Sequence, residues 1–395
     1  MRIFAVGDIH NTCCGENLAV NYPYSTLDAV KYGHTNDQKL EMMVNGILAE
    51  HKKMPIDAVL ILGDIGNNDK PFQYYFRTYE NEIRGSDEDK WSGCAAAYIT
   101  DTLLKSPYDC VYDARRCLDK LTEAGIPYYV TTGNHDAYTK KMWQEAFGKR
   151  AGDFASPDGT LSYLLEFPEH DTAILMLDTY AYDEDENGDV GSRYREFLRR
   201  DNVAYTPIST DPGRRAAFDA FVEKAKGYKH FFIAGHCFFG LDVLTGEWTS
   251  DYAYVSDCGN RYGNLRAVLY GHDQRENDGW YKDIFHTCVS HWSVAMGDEA
   301  FTDENGEERI LRFSLPQTPW GYTVIEDDGT ALYTYRIVSP IRYEYDDLLV
   351  TYLKRCHPKW KDDAFLTKDG GGYSVPYQIR SRSVLSVRGK KETKM

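Results

Sequence analysis

The sequence predicts an α/β domain, because short apolar runs alternate with helical patterns and five of the runs end in the same way. Each of the five is brief, β-favouring and almost continuously apolar or aromatic, which is typical of strands buried on both faces. The five runs are 3–6, 58–62, 127–132, 231–234 and 267–270. Each stops at a glycine followed by a side chain that can bind a metal. Because ligands of such sheets gather at the carboxyl ends of strands, we expect these side chains to converge.

Three helices are predicted from apolar residues spaced three and four positions apart. They cover residues 38–51, 113–124 and 214–226. Gly125 follows the second helix directly, at the position where a left-handed residue commonly ends a helix. Strands that alternate with helices indicate an α/β domain.

Two strand pairs are predicted beside these elements. Residues 161–167 pair with 172–179, and residues 322–326 pair with 331–338 through the turn Asp327-Asp328-Gly329.

The bulk composition is that of a soluble globular protein. The chain has 395 residues, of which 42% are hydrophobic and 27% are charged. Its formal net charge of −16 argues against a large nonspecific nucleic-acid footprint, which needs a basic face. An acidic metal site acting on a phosphate ester stays possible, since bound cations invert the local field. The charge therefore argues against a nucleic-acid partner, and no membrane partner is expected.

The nine cysteines show no paired or finger-like spacing, so a reducing compartment is expected. The apolar run at the start of the chain is too short for a signal peptide, and no later run approaches a membrane span. These observations predict a cytoplasmic protein.

Two segments, near residues 72–112 and 237–264, are predicted to be insertions. They are rich in Tyr, Asp, Gly and Asn and have no sustained period. Loops of this length in a compact domain are usually functional or partly ordered lids. Residues 380–395 carry many basic side chains and are expected to form a solvated tail rather than a binding arm.

The strand-end motifs carry the chemistry. In chain order they are Gly7-Asp8-Ile9-His10, Gly63-Asp64, Gly133-Asn134-His135-Asp136, Gly235-His236 and Gly271-His272. A two-metal hydrolase needs a bridging carboxylate, further oxygen and nitrogen ligands, and a water made nucleophilic near neutral pH. Asp and His suit Mn, Fe, Zn or Ni better than Ca or Mg alone. We expect the preceding glycines to let the backbone turn sharply and to leave room for metal and phosphate.

This ordered series resembles the calcineurin-like metallophosphoesterase superfamily over roughly residues 1–340. The resemblance implies a four-layer α-β-β-α sandwich of two mixed sheets, with residues 341–395 as a C-terminal extension ending in the basic tail. It also implies two divalent metal ions, whose identity among Mn, Fe, Zn and Ni the residues leave open.

The resemblance assigns a role to each motif residue. Asp8 and His10 would bind the first metal, and Asp64 would bridge both. The ligands that complete the second metal would be Asn134, His236 and His272. A hydroxide bridging the metals would then hydrolyse a phosphomonoester or phosphodiester, such as a small organic phosphate or a nucleotide. His135, held by Asp136, would be the general acid on the leaving oxygen or a clamp on the phosphoryl group.

One position departs from the family pattern. The second histidine of the GHxH motif would fall at 274, where this chain has Gln274. We expect Gln274 to weaken the first metal site without abolishing it, since an amide oxygen is a weaker donor and favours harder ions such as Mn or Mg. Alternatively Asp273, a water or a later histidine fills the gap. His286 and His291 follow closely, but ordinary packed or surface histidines are the favoured interpretation.

Two alternatives to a small-molecule phosphoesterase stay open. A nuclease or protein phosphatase of the same superfamily would need a more open, basic or peptide-shaped groove. A non-catalytic member with an impaired first metal site is the other alternative, which the retained motif residues oppose and Gln274 favours.

Overall fold

The structure is a computed structural model of the 395-residue chain. It describes residues 1–10, 36–66, 108–134, 136, 140–152, 156–179, 205, 207–241, 247–274, 277–293, 295–302, 306, 308–315, 319–343, 367–369, 372–375, 377–380 and 382–387. The helices are α1 (Asn36–Lys53), α2 (Tyr108–Glu123), α3 (Lys140–Phe147), α4 (Pro212–Ala225) and α5 (Tyr252–Gly259). Short 3-10 turns cover Gly148–Ala151 and Pro168–His170.

The strands are numbered in chain order. The first eleven are β1 (Arg2–Gly7), β2 (Ala58–Leu62), β3 (Tyr128–Thr131), β4 (Tyr163–Phe167), β5 (Thr172–Leu177), β6 (His230–Gly235), β7 (Phe239–Leu241), β8 (Trp248–Ser250), β9 (Leu265–Tyr270), β10 (Asp278–Tyr281) and β11 (Ile284–Cys288). The others are β12 (Ser290–His291), β13 (Ala295–Thr302), β14 (Glu308–Leu315), β15 (Gly321–Asp327), β16 (Ala331–Val338), β17 (Ile341–Tyr343), β18 (Thr367–Asp369), β19 (Gly372–Val375), β20 (Gln378–Ile379) and β21 (Ser383–Val387).

Two large mixed sheets form the body of the described chain. The first has the order β20-β16-β15-β1-β2-β3, with β12 beside β1 and β21 beside β16. The second has the order β10-β11-β9-β6-β5-β4. In the first sheet β1, β2 and β3 are parallel, whereas β15, β16 and β20 pair antiparallel. In the second sheet β11, β9, β6 and β5 are parallel, and the edge strands β10 and β4 are antiparallel. Both predicted strand pairs are present, as β4 with β5 and as β15 with β16.

Alternate side chains of the central strands enter different cores, because successive residues of a strand face opposite sides of its sheet. In β1, Phe4 and Val6 pack with apolar residues of α1 and α2, whereas Ile3 and Ala5 lie in the core shared with the second sheet. On the far side of the second sheet, apolar residues of α4 and α5 form a third core. The layers therefore run helix, sheet, sheet, helix, and the predicted four-layer sandwich is confirmed.

The predicted helices are present with shifted ends. The first and second begin earlier than predicted, at Asn36 and Tyr108, and Gly125 follows α2 with φ of 81°. The third begins at Pro212, after Asp211 accepts hydrogen bonds from the backbone N–H groups of Gly213 and Arg214. An aspartate before a proline is a strong helix start, so this boundary follows from local sequence.

The two predicted insertions differ from expectation where the structure describes them. Residues 108–112 belong to α2, and the remainder of 72–112 lies outside the described residues. Within 237–264 the chain forms the hairpin β7–β8 and the helix α5, whose Gly259 packs against the second sheet. The helix is only eight residues long, which is too short to show a clear period in the sequence.

Part of the predicted solvated tail differs from expectation, while residues 381 and 388–395 lie outside the described residues. Residues 383–387 form β21, which pairs with β16 at the edge of the first sheet. These five residues follow several basic side chains and are too few to show a strand period in the sequence. The domain boundary at residue 340 stays a prediction. No helix within the described ranges is long and apolar enough to cross a membrane.

Candidate metal centre

The predicted ligands lie at the carboxyl ends of strands from both sheets. Asp8, Asp64 and Asn134 follow β1, β2 and β3 of the first sheet, whereas His236 and His272 follow β6 and β9 of the second. The backbone N–H of His272 donates to Oδ2 of Asp8 at 2.8 Å, so the two sets meet directly.

Two groups of candidate ligands share Asp64. One consists of Asp8, His10 and Asp64, and the other of Asp64, His236 and His272; within each group the ligand atoms lie within 4.8 Å of one another. Nε2 of His10 lies 3.7 Å from Oδ1 of Asp8 and 3.6 Å from Oδ2 of Asp64. A carboxylate common to two such groups is the arrangement that a dinuclear site needs.

The imidazoles of the second group are held with fixed orientations. Nδ1 of His236 lies 2.8 Å from the carbonyl oxygen of Leu62, to which it donates, and this leaves Nε2 facing Asp64 at 3.1 Å. Oδ1 of Asn134 lies 2.9 Å from Nε2 of His236 and 2.9 Å from Nδ1 of His272. Asn134 thus joins the second group through its amide oxygen.

An observation at Asp8 indicates that the donor set fits a divalent cation. This carboxylate is fully buried, and its Oδ1 has no hydrogen-bond partner among the described residues. A buried carboxylate oxygen without a partner is costly unless a cation or a donor meets it. Oδ1 belongs to the group that includes His10 and Asp64, so a cation at that group would satisfy it.

The electrostatics of the site point the same way. Burial lowers the pKa of His236, but the charges of Asp64 and Asp8 outweigh it and raise that pKa to about 10. Burial raises the pKa of Asp8, yet His236 and His10 together outweigh it and leave this pKa below its usual value. Buried carboxylates thus hold a proton on an imidazole where a cation would otherwise neutralise them.

The ligand residues themselves make the sharp turns that we had expected of the glycines. Asp8, His10, Asp64 and His272 adopt left-handed φ angles of 50°, 49°, 51° and 70°. Among the glycines before the ligands, Gly63 alone has a positive φ in the described chain, at 76°. Non-glycine residues in this region are strained and cluster at functional sites.

The strand-end glycines are needed for space instead. A Cβ on Gly271 would lie 2.8 Å from Oδ2 of Asp8, and one on Gly63 would lie 2.7 Å from Nδ1 of His236. A Cβ on Gly133 would overlap the backbone and carboxylate of Asp64. The close approach of the two sheets at the site therefore depends on missing side chains.

Gln274 lies at the first group, with its carbonyl end turned away. Its Nε2 lies 3.0 Å from Nε2 of His10, and its Oε1 accepts a hydrogen bond from Oγ of Ser293 at 2.7 Å. Like the ligands, it has a left-handed φ, of 50°. Ligation of the first metal by Gln274 stays a prediction.

The two later histidines have other partners. Nε2 of His286 lies 2.8 Å from Oγ of Ser256 in α5. Nδ1 of His291 lies 2.9 Å from Oγ of Ser293, and burial lowers the pKa of His291 to about 4. Neither belongs to a ligand group among the described residues. Ser293 joins His291 to Gln274, and no motif in the sequence singled it out.

Asp136 accepts hydrogen bonds from two loops that carry metal ligands. Its Oδ1 accepts from the backbone N–H of Gly66 at 2.8 Å, and its Oδ2 accepts from that of Gly133 at 2.9 Å. It thereby ties the loop after β2 to the loop after β3, a role that the sequence did not reveal. His135 lies outside the described residues, so its predicted role and its pairing with Asp136 stay predictions.

A buried lysine supports the Asp8–His10 segment. Nζ of Lys39 in α1 donates to the carbonyl oxygen of Ile9, between the two ligands, and burial lowers the pKa of Lys39 to about 7. Lys39 precedes Met43 by four residues, so the helical period could have placed it on the buried face.

Comparison with known proteins agrees with this fold and site. The model of the calcineurin-like phosphoesterase family matches residues 1–276. The chain belongs to the calcineurin-like phosphoesterase family, and it is a metal-dependent hydrolase acting on phosphate esters. The predicted family and enzyme class are confirmed. The family is dimetal-dependent, in agreement with the two ligand groups.

Similar solved structures are distant in sequence. A dimetal phosphatase from Danio rerio is 12% identical, with a TM-score of 0.42, and the match covers 85% of this chain and 95% of that one. A putative 5′-nucleotidase from Staphylococcus aureus is 12% identical, with a TM-score of 0.40, over 92% of this chain and 58% of that one. A search of curated protein sequences finds no match.

Proposed function

We propose that the protein hydrolyses a phosphomonoester or phosphodiester of a small organic molecule or nucleotide at two divalent cations. The observation that carries this proposal is the position of Asp64, whose carboxylate belongs to both ligand groups. The acidic chain, with a net charge of −16, favours a small substrate over a nucleic acid. A cytoplasmic location stays a prediction from the cysteine pattern.

Each ligand group would hold one cation. Asp8, His10 and Asp64 would hold the first, and Asp64 with His236, His272 and Asn134 would hold the second. Bound cations would supply Lewis acidity at phosphorus and an attacking hydroxide. Mixed imidazole and carboxylate donors suit Mn, Fe, Zn or Ni.

The chain's own residues orient this site. The Leu62 carbonyl holds the tautomer of His236 with Nε2 towards Asp64, at 3.1 Å. Asp136 keeps the loops after β2 and β3 at a fixed separation through Gly66 and Gly133. His135 would protonate the leaving oxygen or clamp the phosphoryl group. Domain limits of 1–340 and 341–395 are part of the same proposal.

The test is turnover of p-nitrophenyl mono- and diesters with added Mn, Ni, Zn or Mg. We expect turnover that a chelator abolishes and that Asp64→Asn reduces by several orders of magnitude, with loss of both cations. Asp257→Asn is the matched control, since Asp257 lies on α5 in a pair with exposed Lys282. Folded protein that turns over no ester with any metal would contradict the proposal.

Further substrates separate the alternatives. Turnover of a diester without a monoester would exclude the phosphatase interpretation, and preference for an oligonucleotide or a phosphopeptide would favour a nuclease or a protein phosphatase.

A further inference from the structure

An aromatic pair lies beside the second ligand group. Phe239 in β7 and Trp248 in β8 have ring centroids 6.0 Å apart and planes inclined by 28°. Phe239 also meets the ring of His272 edge-on, with centroids 6.0 Å apart and planes at 76°. Phe239 and Trp248, which we call the aromatic platform, therefore extend outward from a candidate metal ligand.

The outer member of the platform is open to solvent. Trp248 is 65% exposed, whereas Trp143, Trp292 and Trp320 are at most 1% exposed. Phe239 is partly buried between Trp248 and His272. An indole ring is large and mostly apolar, so exposure of this extent beside a site leaves one face available for a ligand.

The platform is held in place before any ligand binds. The backbone N–H of Asp251, which follows β8, donates to the carbonyl oxygen of Phe238, which precedes β7, at 2.7 Å. The buried carboxylate of Asp251 accepts from the hydroxyl of Tyr205 at 2.7 Å and from the backbone N–H of Ile208 at 2.6 Å. These bonds close the base of the hairpin, which lowers the entropy lost when a ligand is bound.

The β7–β8 hairpin also lies close in the chain to His236, the other imidazole ligand. Phe239 follows His236 by three residues, and Sγ of Cys237 lies 3.3 Å from the carbonyl oxygen of Phe239, to which it donates. At Gly240 a Cβ would lie 2.6 Å from Cβ of Tyr205, so the hairpin packs too closely there for a side chain. The hairpin that carries the platform is thus held next to the metal ligands His236 and His272.

We propose that the aromatic platform binds a flat ring in the leaving group of the substrate, so that the substrate is a phosphate ester carrying a heteroaromatic ring such as a nucleobase. The inference rests on the proposed function and adds the substrate class. The ring stacks on the exposed face of Trp248 while the phosphate lies at the metal ligands. Water adds to phosphorus, the ester P–O bond breaks, and the leaving alkoxide takes up a proton; the ring is unchanged.

Stacking on one aromatic side chain gives a measurable preference. A base on an aromatic ring contributes enough to change affinity by about 5- to 150-fold. Because every base presents a π-face, the platform by itself selects for a ring and not for one particular base.

The experiment compares two ligands, one with a nucleobase and one without it. Equilibrium binding to the metal-loaded protein is measured for the phosphonate analogues of adenosine 5′-monophosphate and ribose 5-phosphate, in which CH₂ replaces the ester oxygen. Neither analogue can be hydrolysed, so binding is measured independently of turnover. Failure of the proposed function would appear as absent turnover of phosphate esters, whereas failure of this inference would appear as equal binding of the two analogues.

We expect the adenosine analogue to bind at least fivefold more tightly, and Trp248→Ala to remove this preference while Trp248→Phe keeps part of it. Trp280→Ala is the matched control, because Trp280 is 54% exposed but lies on β10 at the edge of the second sheet. The inference is overturned by equal affinities in the unmodified protein, by equal weakening of both analogues in Trp248→Ala, or by the same loss in Trp280→Ala.

Discussion

The amide nitrogen of Gln274 lies 3.0 Å from Nε2 of His10, the ring nitrogen that belongs to the first ligand group. An amide N–H pointed at this nitrogen occupies the lone pair that a cation needs. The carbonyl end of Gln274 is bonded to Ser293, whose hydroxyl can donate or accept. A cation therefore requires the amide to turn, with Ser293 accepting from the amide nitrogen instead.

Gln274→His is expected to tighten the first metal. An imidazole would bring a stronger donor to the group and remove the competing N–H, so the dissociation constant should fall by at least about tenfold. Metal titration of the purified protein, with stoichiometry by elemental analysis, measures this change. Unchanged metal content together with an unchanged rate would show that position 274 does not reach the cation.

Gly133→Ala is expected to disrupt the site by overlap with Asp64. We expect the free energy of unfolding to fall by about 2 kcal/mol or more, because the loop after β3 must move. Denaturant unfolding and metal content are the measurements. Gly279→Ala is the control, since a Cβ there meets nothing within 4 Å, and its effect should stay within about 0.5 kcal/mol.

Asp136→Ala is expected to lower both stability and metal affinity. The variant leaves the backbone N–H groups of Gly66 and Gly133 without their acceptor, which should cost at least about 2 kcal/mol. Denaturant unfolding with and without metal measures both effects. Full metal content in a variant that has lost only turnover would instead assign Asp136 to the orientation of His135.

His135→Ala is expected to lower turnover and to leave metal binding unchanged. Loss of a general acid should reduce turnover by about 10²- to 10⁴-fold while both cations stay bound. Steady-state kinetics and elemental analysis of the same preparation test this. Loss of metal would mean that His135 is a ligand and not an acid.

His230, at the start of β6, is expected to make the fold sensitive to acid. Burial, with the charges of Arg266 and Lys229, lowers the pKa of His230 from 6.5 to about 4. Between these values the unfolded chain binds a proton that the folded chain does not. Stability therefore falls as the pH drops from about 6.5 to about 4, by on the order of 2 kcal/mol.

Unfolding at pH 7 and pH 5 measures the contribution of His230. His230→Gln keeps an acceptor for the Arg266 guanidinium, which lies 3.2 Å from Nδ1, and has no proton to gain. The variant should lose less stability between the two pH values than the unmodified protein. An identical loss would place the acid sensitivity elsewhere.

The sequence predicted those elements whose hydrophobic pattern directly reflects their burial in the fold. A buried parallel strand is apolar throughout and ends where its ligand begins, so β1, β2, β6 and β9 could be located to within a few residues. The predicted starts of the helices were less accurate. The beginning of α1 at Asn36, for instance, precedes the first apolar residue of its buried face.

Other features depend on contacts that no single segment encodes. The bond of Ser293 to Gln274 and the bond of Asp136 to Gly66 join positions far apart in the chain. The sequence around Trp248 shows no hydrophobic period. The ring contacts that link Trp248 to His272 through Phe239 form only when β7 and β8 pair. Pairing partners of short strands such as β21 are likewise set by the sheet edge that they meet.

The bond from the backbone of His272 to the carboxylate of Asp8 joins residues 264 positions apart. A growing chain on the ribosome therefore lacks the second group of ligands until the strand β9 has emerged and the two sheets have docked. Both cations can therefore be held only after most of the chain has been synthesised. Metal loading is then a late step in the maturation of the protein, which only a chain with both sheets in place can complete.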